Sequence, residues 1–161
     1  MTFLMLVWAF AIAITIHNIE EAILLPAWSQ GAGRWKRPVG ANEFRFAVAV
    51  LTAAVFAAAI MAGIGGKKSL GAYLVCGYAL AMLLNIVYPH VLATVVLREY
   101  APGTLTALLL NLPVSVLLLA MAFREDYIDA STFLWAGPLV VLAIAGSIPL
   151  LLAIGRRLQS S

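Results

Sequence analysis

Residues 13–28 read AITIHNIEEAILLPAW, with apolar residues on both sides of one histidine and two glutamates. The apolar stretch before the histidine, Thr2–Ile16, would extend only about 22 Å as a helix, which is too short for a hydrocarbon core of about 30 Å. The apolar residues after the glutamates therefore have to carry the span on to Trp28. This predicts a transmembrane helix with His17, Glu20 and Glu21 inside the bilayer.

The rest of the chain has the same apolar character. Of its 161 residues, 64% are hydrophobic and 11% are charged, whereas soluble proteins average about 45–50% apolar and about 25% charged residues. Runs long enough for transmembrane helices occupy residues 2–28, 44–64, 70–97, 104–123 and 133–155. We therefore predict an all-α fold, in which residues 1–161 form one polytopic membrane domain, a bundle of five transmembrane helices.

The basic residues predict an orientation in the membrane and not a nucleic-acid partner. The net charge is only +3, and the Lys and Arg residues lie in short segments between the apolar runs. One face collects Arg34, Lys36, Arg37, Arg98, Arg156 and Arg157, and the other collects Lys67, Lys68 and Arg124. Because Lys and Arg favour the cytoplasmic side, we expect the N-terminus outside the cell and the C-terminus in the cytoplasm.

The polar residues of the first helix share one face. Residues three and four positions apart are neighbours on a helix, so His17, Glu20 and Glu21 form one stripe. An ionised carboxylate inside the bilayer is costly unless it is paired, protonated or bound to a metal. An imidazole beside two carboxylates is typical of metal sites in helical bundles, and it also suits proton transfer. The stripe therefore predicts a functional site.

Other helices carry polar residues at a similar depth. At 1.5 Å per residue from the helix ends, Asn85 of the third run and Asn111 of the fourth lie nearly level with His17. A second layer lies closer to the cytoplasm and consists of Glu20, Glu21 and His90. Because all the strongly polar intramembrane residues fall in one half of the bilayer, we expect them to form one site.

Pro89 lies between Asn85 and His90 in the third run. A proline inside a helix has no N–H and frees the carbonyl of the fourth residue before it, here Asn85. On an ideal helix Asn85 and His90 would lie about 140° apart, and a kink at Pro89 changes that angle.

Several of these residues also have a structural interpretation. A single histidine or asparagine within the membrane most often hydrogen-bonds between packed helices, and Asn111 taken alone fits that description. Arg45 is predicted equally well as a counter-ion of the carboxylates or as an interfacial anchor. His90 stands close to Arg98 and could equally lie near the interface.

Four short segments occur in order along the chain: HNIEE at 17–21, NEFRF at 42–46, NIVYPH at 85–90 and PG at 102–103. In these segments the sequence resembles the HXXEE family of small bacterial and archaeal membrane proteins, which is named for the first motif. The resemblance implies a shared intramembrane polar site, and it supplies no substrate. The positions that match the motifs are His17, Glu20, Glu21, Arg45, Asn85 and His90. We accordingly expect an integral protein of the bacterial inner (cell) membrane.

The favoured interpretation is an intramembrane enzyme that acts on a lipid, an isoprenoid or another hydrophobic substrate from the cytoplasmic leaflet. The residues expected to act as acids and bases, or to bind a divalent metal such as zinc or iron, are His17, Glu20, Glu21 and His90. The residues expected to orient the substrate are Arg45, Asn85 and Asn111.

Two other functions remain open from the sequence. One is a proton- or metal-coupled carrier, which at this length would need to form a homodimer to enclose a pathway. The other is a non-catalytic membrane module whose polar cluster only fixes helix packing. A carrier should have polar residues on both sides of the site, and here the outer half is almost wholly apolar.

We also expect the fifth helix, which has no ionisable residue between 133 and 155, to lie at the periphery of the site.

Overall fold

The structure is a computed structural model that describes residues 1–31 and 38–159. It is all-helical, as predicted, and five of its helices are long and apolar enough to cross a membrane. Their bounds are α1 Phe3–Gly31, α2 Ala41–Gly65, α3 Leu70–Leu97, α4 Thr104–Arg124 and α5 Ala130–Gln159. Three basic residues used to predict the orientation lie outside the described residues: Arg34, Lys36 and Arg37.

Helix α1 is more buried than the other four long helices. Its first half packs against α2 and α4 through fully buried side chains that include Phe3, Phe10 and Ile14, and the Phe10 ring meets the Tyr78 ring of α3 edge to face. Helix α5 packs on α2 and α3 and leaves most of its surface exposed. A Cβ atom on Gly77 of α3 would lie 2.5 Å from Cβ of Val140 in α5, so this glycine permits the close approach of the two helices.

Hydrogen bonds show which chain segments share a face of the bundle. The Lys68 N–H donates to the Tyr127 carbonyl over 2.8 Å, which joins the α2–α3 turn to the α4–α5 turn. The Phe3 N–H donates to Oε2 of Glu125 over 3.2 Å, so the N-terminus lies on the same face. We call this the N-terminal face, and the opposite end of the bundle the site face.

Helix α2 and helix α5 are linked at the site face. Glu43, in the first turn of α2, accepts a hydrogen bond of 2.8 Å from the Gly40 N–H at the start of the helix. Its other carboxylate oxygen lies 3.4 Å from Nη1 of Arg156, near the end of α5. A carboxylate near the positive end of the α2 dipole is stabilised there, and the ion pair joins the two helix ends.

Two helices change their hydrogen-bonding pattern near the site face. Helix α3 widens to π-helical geometry over Ile86–Val91, where Tyr88 has a non-helical backbone (φ −129°, ψ 118°). Pro89 has no N–H to donate to the ladder, which accounts for the break. Helix α4 has a second π-helical stretch over Ala107–Asn111. Such widened turns occur frequently at functional sites.

Candidate metal centre

His17 and Glu21, one turn apart on α1, face His90 of α3. His17 and His90 are each 1% exposed. Oε2 of Glu21 lies 3.8 Å from Nε2 of His17, and Oε1 lies 3.5 Å from Nε2 of His90. One ligand atom from each of the three residues lies within 4.8 Å of the other two. Two imidazoles and one carboxylate therefore converge on one point between α1 and α3.

The break in α3 brings Asn85 and His90 together. An ideal helix would point these side chains about 140° apart, but here Nδ2 of Asn85 lies 2.9 Å from Nε2 of His90. The His90 ring also meets the His17 ring edge to face, with 5.0 Å between the centroids and 88° between the planes. The π-helical stretch around Pro89 thus positions His90 in the cluster.

The segment before α4 closes the cluster at the site face. Residues 101–104 are buried, and Gly103 has φ +88°. A Cβ atom on Gly103 would lie 2.5 Å from Cε1 of His90 and 2.9 Å from Cε1 of His17. Glycine is required here both by the left-handed backbone and by the contact with two imidazole rings.

Glu20 is directed away from the three converging residues, contrary to the expectation that it would join them as a ligand. Its Oε1 accepts hydrogen bonds from the Gly103 N–H (2.9 Å) and from the Tyr100 hydroxyl, and its Oε2 accepts one of 2.6 Å from Oγ1 of Thr106. Positions three and four residues after His17 differ by about 100° around the helix axis. Adjacent glutamates therefore face different neighbours, and Glu20 binds the segment that leads into α4.

A cavity of about 590 Å³ lies between α1, α2, α3 and α5. His17, Glu21 and Asn85 are among its lining residues, whereas most of the others are apolar, such as Leu25, Phe44 and Met82. Its volume falls in the range of about 300–1,000 Å³ that is usual for small-molecule sites. His17 and Glu21 of the cluster thus belong, with Asn85, to the polar part of a largely apolar cavity.

Helix α5 lines this cavity, so the prediction that it lies at the periphery of the site is wrong. Val141, Ile144, Ala145, Ile148 and Leu152 of α5 form part of the wall. We expected α5 to lie far from the polar cluster because it has no ionisable residue from 133 to 155. That reasoning did not consider that an apolar cavity beside the cluster needs an apolar wall. Helix α5 supplies that wall.

Arg45 and Asn111, which were expected to orient the substrate, are not among the residues that line the cavity. Arg45 is exposed, and its Nε donates to the carbonyl of Ala22 over 3.3 Å, which fits the interfacial anchor and not a counter-ion of the glutamates. Asn111 is fully buried in α4 but does not line the cavity. Both of its amide atoms lack a hydrogen-bond partner among the described residues. Depth along the helix located Asn111 without indicating the direction of its side chain.

Sequence reasoning missed three polar residues around the cluster. Tyr100 and Thr106 bind Glu20, and Asn18 of α1 lines the cavity while its Nδ2 donates to Oγ1 of Thr52 over 2.7 Å. Asn18 stands inside the HNIEE segment, and Thr106 lies one turn into α4. The position of Thr106 along α4 is a signal in the sequence, but a single threonine in a transmembrane helix costs little free energy and does not by itself indicate a site.

The donor set fits a divalent cation. Two histidines and one glutamate bind zinc in several hydrolases, and two histidines with one carboxylate bind iron in non-haem oxygenases. Nε2 of His17 is buried and has no hydrogen bond among the described residues, although a buried polar atom normally has a partner. It lies beside the carboxylate of Glu21, as a ligand nitrogen would.

Comparison with known proteins found one matching family and one similar protein. Residues 8–118 match the family described as "Protein of unknown function with HXXEE motif". The chain is 38% identical over 150 residues to "Uncharacterized protein YrkK" of Bacillus subtilis (strain 168), which covers 93% of this chain and 95% of that protein. No solved structure matches the chain. Because the family match spans more than half of the sequence and includes the converging residues, the chain belongs to the HXXEE family.

Proposed function

We propose that this protein is a metal-dependent intramembrane enzyme that acts on a lipid, an isoprenoid or another hydrophobic substrate. The observation that carries the proposal is the position of the cluster. Ligand atoms of His17, Glu21 and His90 lie within 4.8 Å of one another, beside an apolar cavity of about 590 Å³. A few convergent polar groups in a largely apolar pocket are the usual form of a small-molecule site.

In this proposal His17, Glu21 and His90 would hold zinc or iron, and the cation would supply a Lewis acid or an activated water molecule. Glu21 provides the negative charge that the cation needs. Asn85 donates to Nε2 of His90 and would have to give up that hydrogen bond if this nitrogen held a cation. Its amide then remains beside the cavity, where it orients the substrate.

The walls of the cavity support entry of the substrate from the lipid. Leu84, Val87 and Tyr88 of α3 line the cavity and are 53%, 64% and 65% exposed. On α5, the lining residue Ile148 is 40% exposed. Residues of both helices thus belong to the cavity and to the outer surface of the bundle. A hydrophobic molecule could pass between α3 and α5 without crossing water.

The alternative functions have less support. A purely structural cluster would satisfy its own hydrogen bonds, whereas Nε2 of His17 has none among the described residues. A carrier needs a path to both faces, and the half of α1 toward the N-terminal face is packed with buried apolar side chains such as Phe3, Phe10 and Ile14. A carrier would therefore require a larger rearrangement or a homodimer.

We further propose that the protein lies in a bacterial cell membrane with its N-terminus outside and its C-terminus in the cytoplasm. Five spans put the two chain ends on opposite sides, and the Lys and Arg residues favour the site face as the cytoplasmic one. The substrate then enters from the cytoplasmic leaflet.

The proposal is tested with the variant Glu21→Gln in protein purified in detergent. The amide keeps the size and hydrogen bonding of the side chain but removes the negative charge that holds a cation. We expect wild type to retain about one zinc or iron per chain by elemental analysis, and Glu21→Gln to lose it. The matched control is Glu99→Gln, the same change at an exposed position outside the cluster, which should keep the metal.

Activity is tested by incubating the metal-loaded protein with a bacterial lipid extract and following the lipids by mass spectrometry. Conversion of a lipid by wild type and by Glu99→Gln, but not by Glu21→Gln, supports an enzyme. Wild-type protein that neither retains nor binds zinc or iron, with Glu21→Gln altering only thermal stability, would contradict the proposal in favour of a structural cluster.

A further inference from the structure

The Thr106 hydroxyl lies between His17 and Glu20. Its Oγ1 is 2.9 Å from Nδ1 of His17, 2.6 Å from Oε2 of Glu20 and 3.2 Å from the carbonyl oxygen of Gly103. Thr106 of α4 therefore links His17 to the carboxylate of Glu20, which is not one of the three converging residues.

The direction of these hydrogen bonds follows from the number of protons. A threonine hydroxyl has one proton to donate and two lone pairs that accept. The Gly103 carbonyl is only an acceptor. Glu20 receives hydrogen bonds from Tyr100, Gly103 and Thr106, an arrangement that suits the ionised carboxylate, which also only accepts. Thr106 therefore donates its proton to one of these oxygens and offers a lone pair to His17.

The consequence for His17 concerns its tautomer. A ring nitrogen that faces a lone pair at 2.9 Å has to carry a hydrogen, so Nδ1 of His17 is the protonated nitrogen. In a neutral imidazole the other nitrogen is then a bare acceptor. Nε2 is the atom that lies 3.8 Å from Oε2 of Glu21 and has no hydrogen bond among the described residues.

We propose that Thr106 is a positioning residue that fixes His17 as the Nδ1–H tautomer and thereby directs the Nε2 lone pair toward the point on which the ligand atoms of Glu21 and His90 converge. Glu20 acts through Thr106 as the outer carboxylate of the site. Histidines that bind metals almost always donate their second N–H to such a partner, which orients the ring and fixes the tautomer. The role of this tautomer in metal binding rests on the proposed function. The tautomer itself is a property of the metal-free protein and can be measured there.

The tautomer is measured by nitrogen NMR of metal-free protein labelled with ¹⁵N-histidine. The chain has two histidines, His17 and His90, so four ring nitrogens give signals, and a His90→Gln sample assigns them. We expect a protonated Nδ1 and an unprotonated Nε2 for His17 in wild type. Thr106→Val, which keeps the shape and removes the hydroxyl, should give a mixture of tautomers, and Thr106→Ser should restore the wild-type pattern.

The matched control is Thr15→Val. The Thr15 hydroxyl donates to the Ala11 carbonyl of its own helix over 2.8 Å, so the same substitution there should leave the His17 signals unchanged. A wild-type His17 protonated at Nε2, alone or together with Nδ1, would overturn the proposal even if Thr106→Val failed to fold. Unchanged His17 signals in a folded Thr106→Val protein would also overturn it.

A zinc titration separates this inference from the proposed function. Loss of a group that orients a ligand typically costs about 10–100-fold in metal affinity, and we expect that loss for Thr106→Val but not for Thr106→Ser or Thr15→Val. Zinc affinity equal to wild type in Thr106→Val would refute the positioning role. Wild-type protein with the expected tautomer but no affinity for zinc or iron would refute the metal enzyme and leave the assignment of the tautomer intact.

Discussion

At the scale of single residues, two of the buried polar side chains of α4 lack hydrogen-bond partners among the described residues. Asn111 and Ser115, one turn apart, are both 0% exposed. The amide atoms of Asn111 and Oγ of Ser115 have no hydrogen-bond partner among the described residues. A buried polar group without a partner costs about 1–3 kcal/mol, and the hydrocarbon around a membrane helix offers no water to replace it. These residues therefore weaken the fold where they stand.

We predict that Asn111→Leu raises the midpoint temperature of unfolding in detergent, because it removes two unpaired polar atoms from an apolar surrounding. The matched control is Asn18→Leu, since the Asn18 amide donates to Oγ1 of Thr52 over 2.7 Å and its loss should lower the midpoint. Equal destabilisation by the two substitutions would contradict the prediction. If Asn111→Leu is more stable but converts less lipid, the asparagine serves function at a cost in stability.

Single residues also show where reasoning from the sequence stops. The length of the apolar runs predicted five helices, and the i, i+4 spacing placed His17 beside Glu21. The spacing did not indicate which of the two glutamates, Glu20 or Glu21, would face His90, because that depends on neighbours from other helices. Tyr100 and Thr106 decide the direction of Glu20, and their contacts join residues far apart in sequence.

At the scale of elements, the site depends on irregular backbone between and within helices. Pro89 predicted a break in α3, and the break lets Asn85 and His90 meet. The role of Gly103 was not predictable from the sequence, since a PG pair indicates a turn but not what the turn packs against. Its left-handed backbone and its contact with both imidazoles appear only when α1, α3 and α4 are assembled.

We predict that Gly103→Ala abolishes zinc binding and destabilises the protein. The added Cβ would lie 2.5 Å from Cε1 of His90, so the rings have to separate. The φ of +88° adds about 1–3 kcal/mol of backbone strain. Gly146→Ala is the control, because nothing lies within 4 Å of the added Cβ, and its zinc titration and unfolding curve should match wild type or show greater stability. Wild-type zinc affinity in Gly103→Ala would contradict the role assigned to the segment before α4.

At the scale of the whole molecule, the two ends of the bundle differ in polarity and packing. Toward the N-terminal face α1 is surrounded by apolar side chains, and toward the site face it meets the histidines, the carboxylates and the cavity. This division follows from the sequence, in which all strongly polar intramembrane residues fall in one half of the bilayer. The cavity itself could not be predicted, because it depends on how far the broken end of α3 stands from α5.

The last prediction concerns which face meets the cytoplasm. Arg98, Arg156 and Arg157 lie on the site face, and Lys67, Lys68 and Arg124 lie on the N-terminal face; in the sequence, the segment between α1 and α2 contains three further basic residues, Arg34, Lys36 and Arg37. By the distribution of Lys and Arg, the site face should be cytoplasmic. We expect a membrane-impermeant maleimide to label Ser131→Cys on intact cells, and to label Glu99→Cys only after the cells are permeabilised.

Both positions are exposed, Ser131 at the start of α5 on the N-terminal face and Glu99 in the segment after α3 on the site face. The native Cys76 is buried, so wild type serves as a low-background control. The reverse labelling pattern would place the cluster in the outer half of the bilayer. A hydrophobic substrate would then have to enter from the outer leaflet, because its route between α3 and α5 lies at the level of the cluster and moves with it.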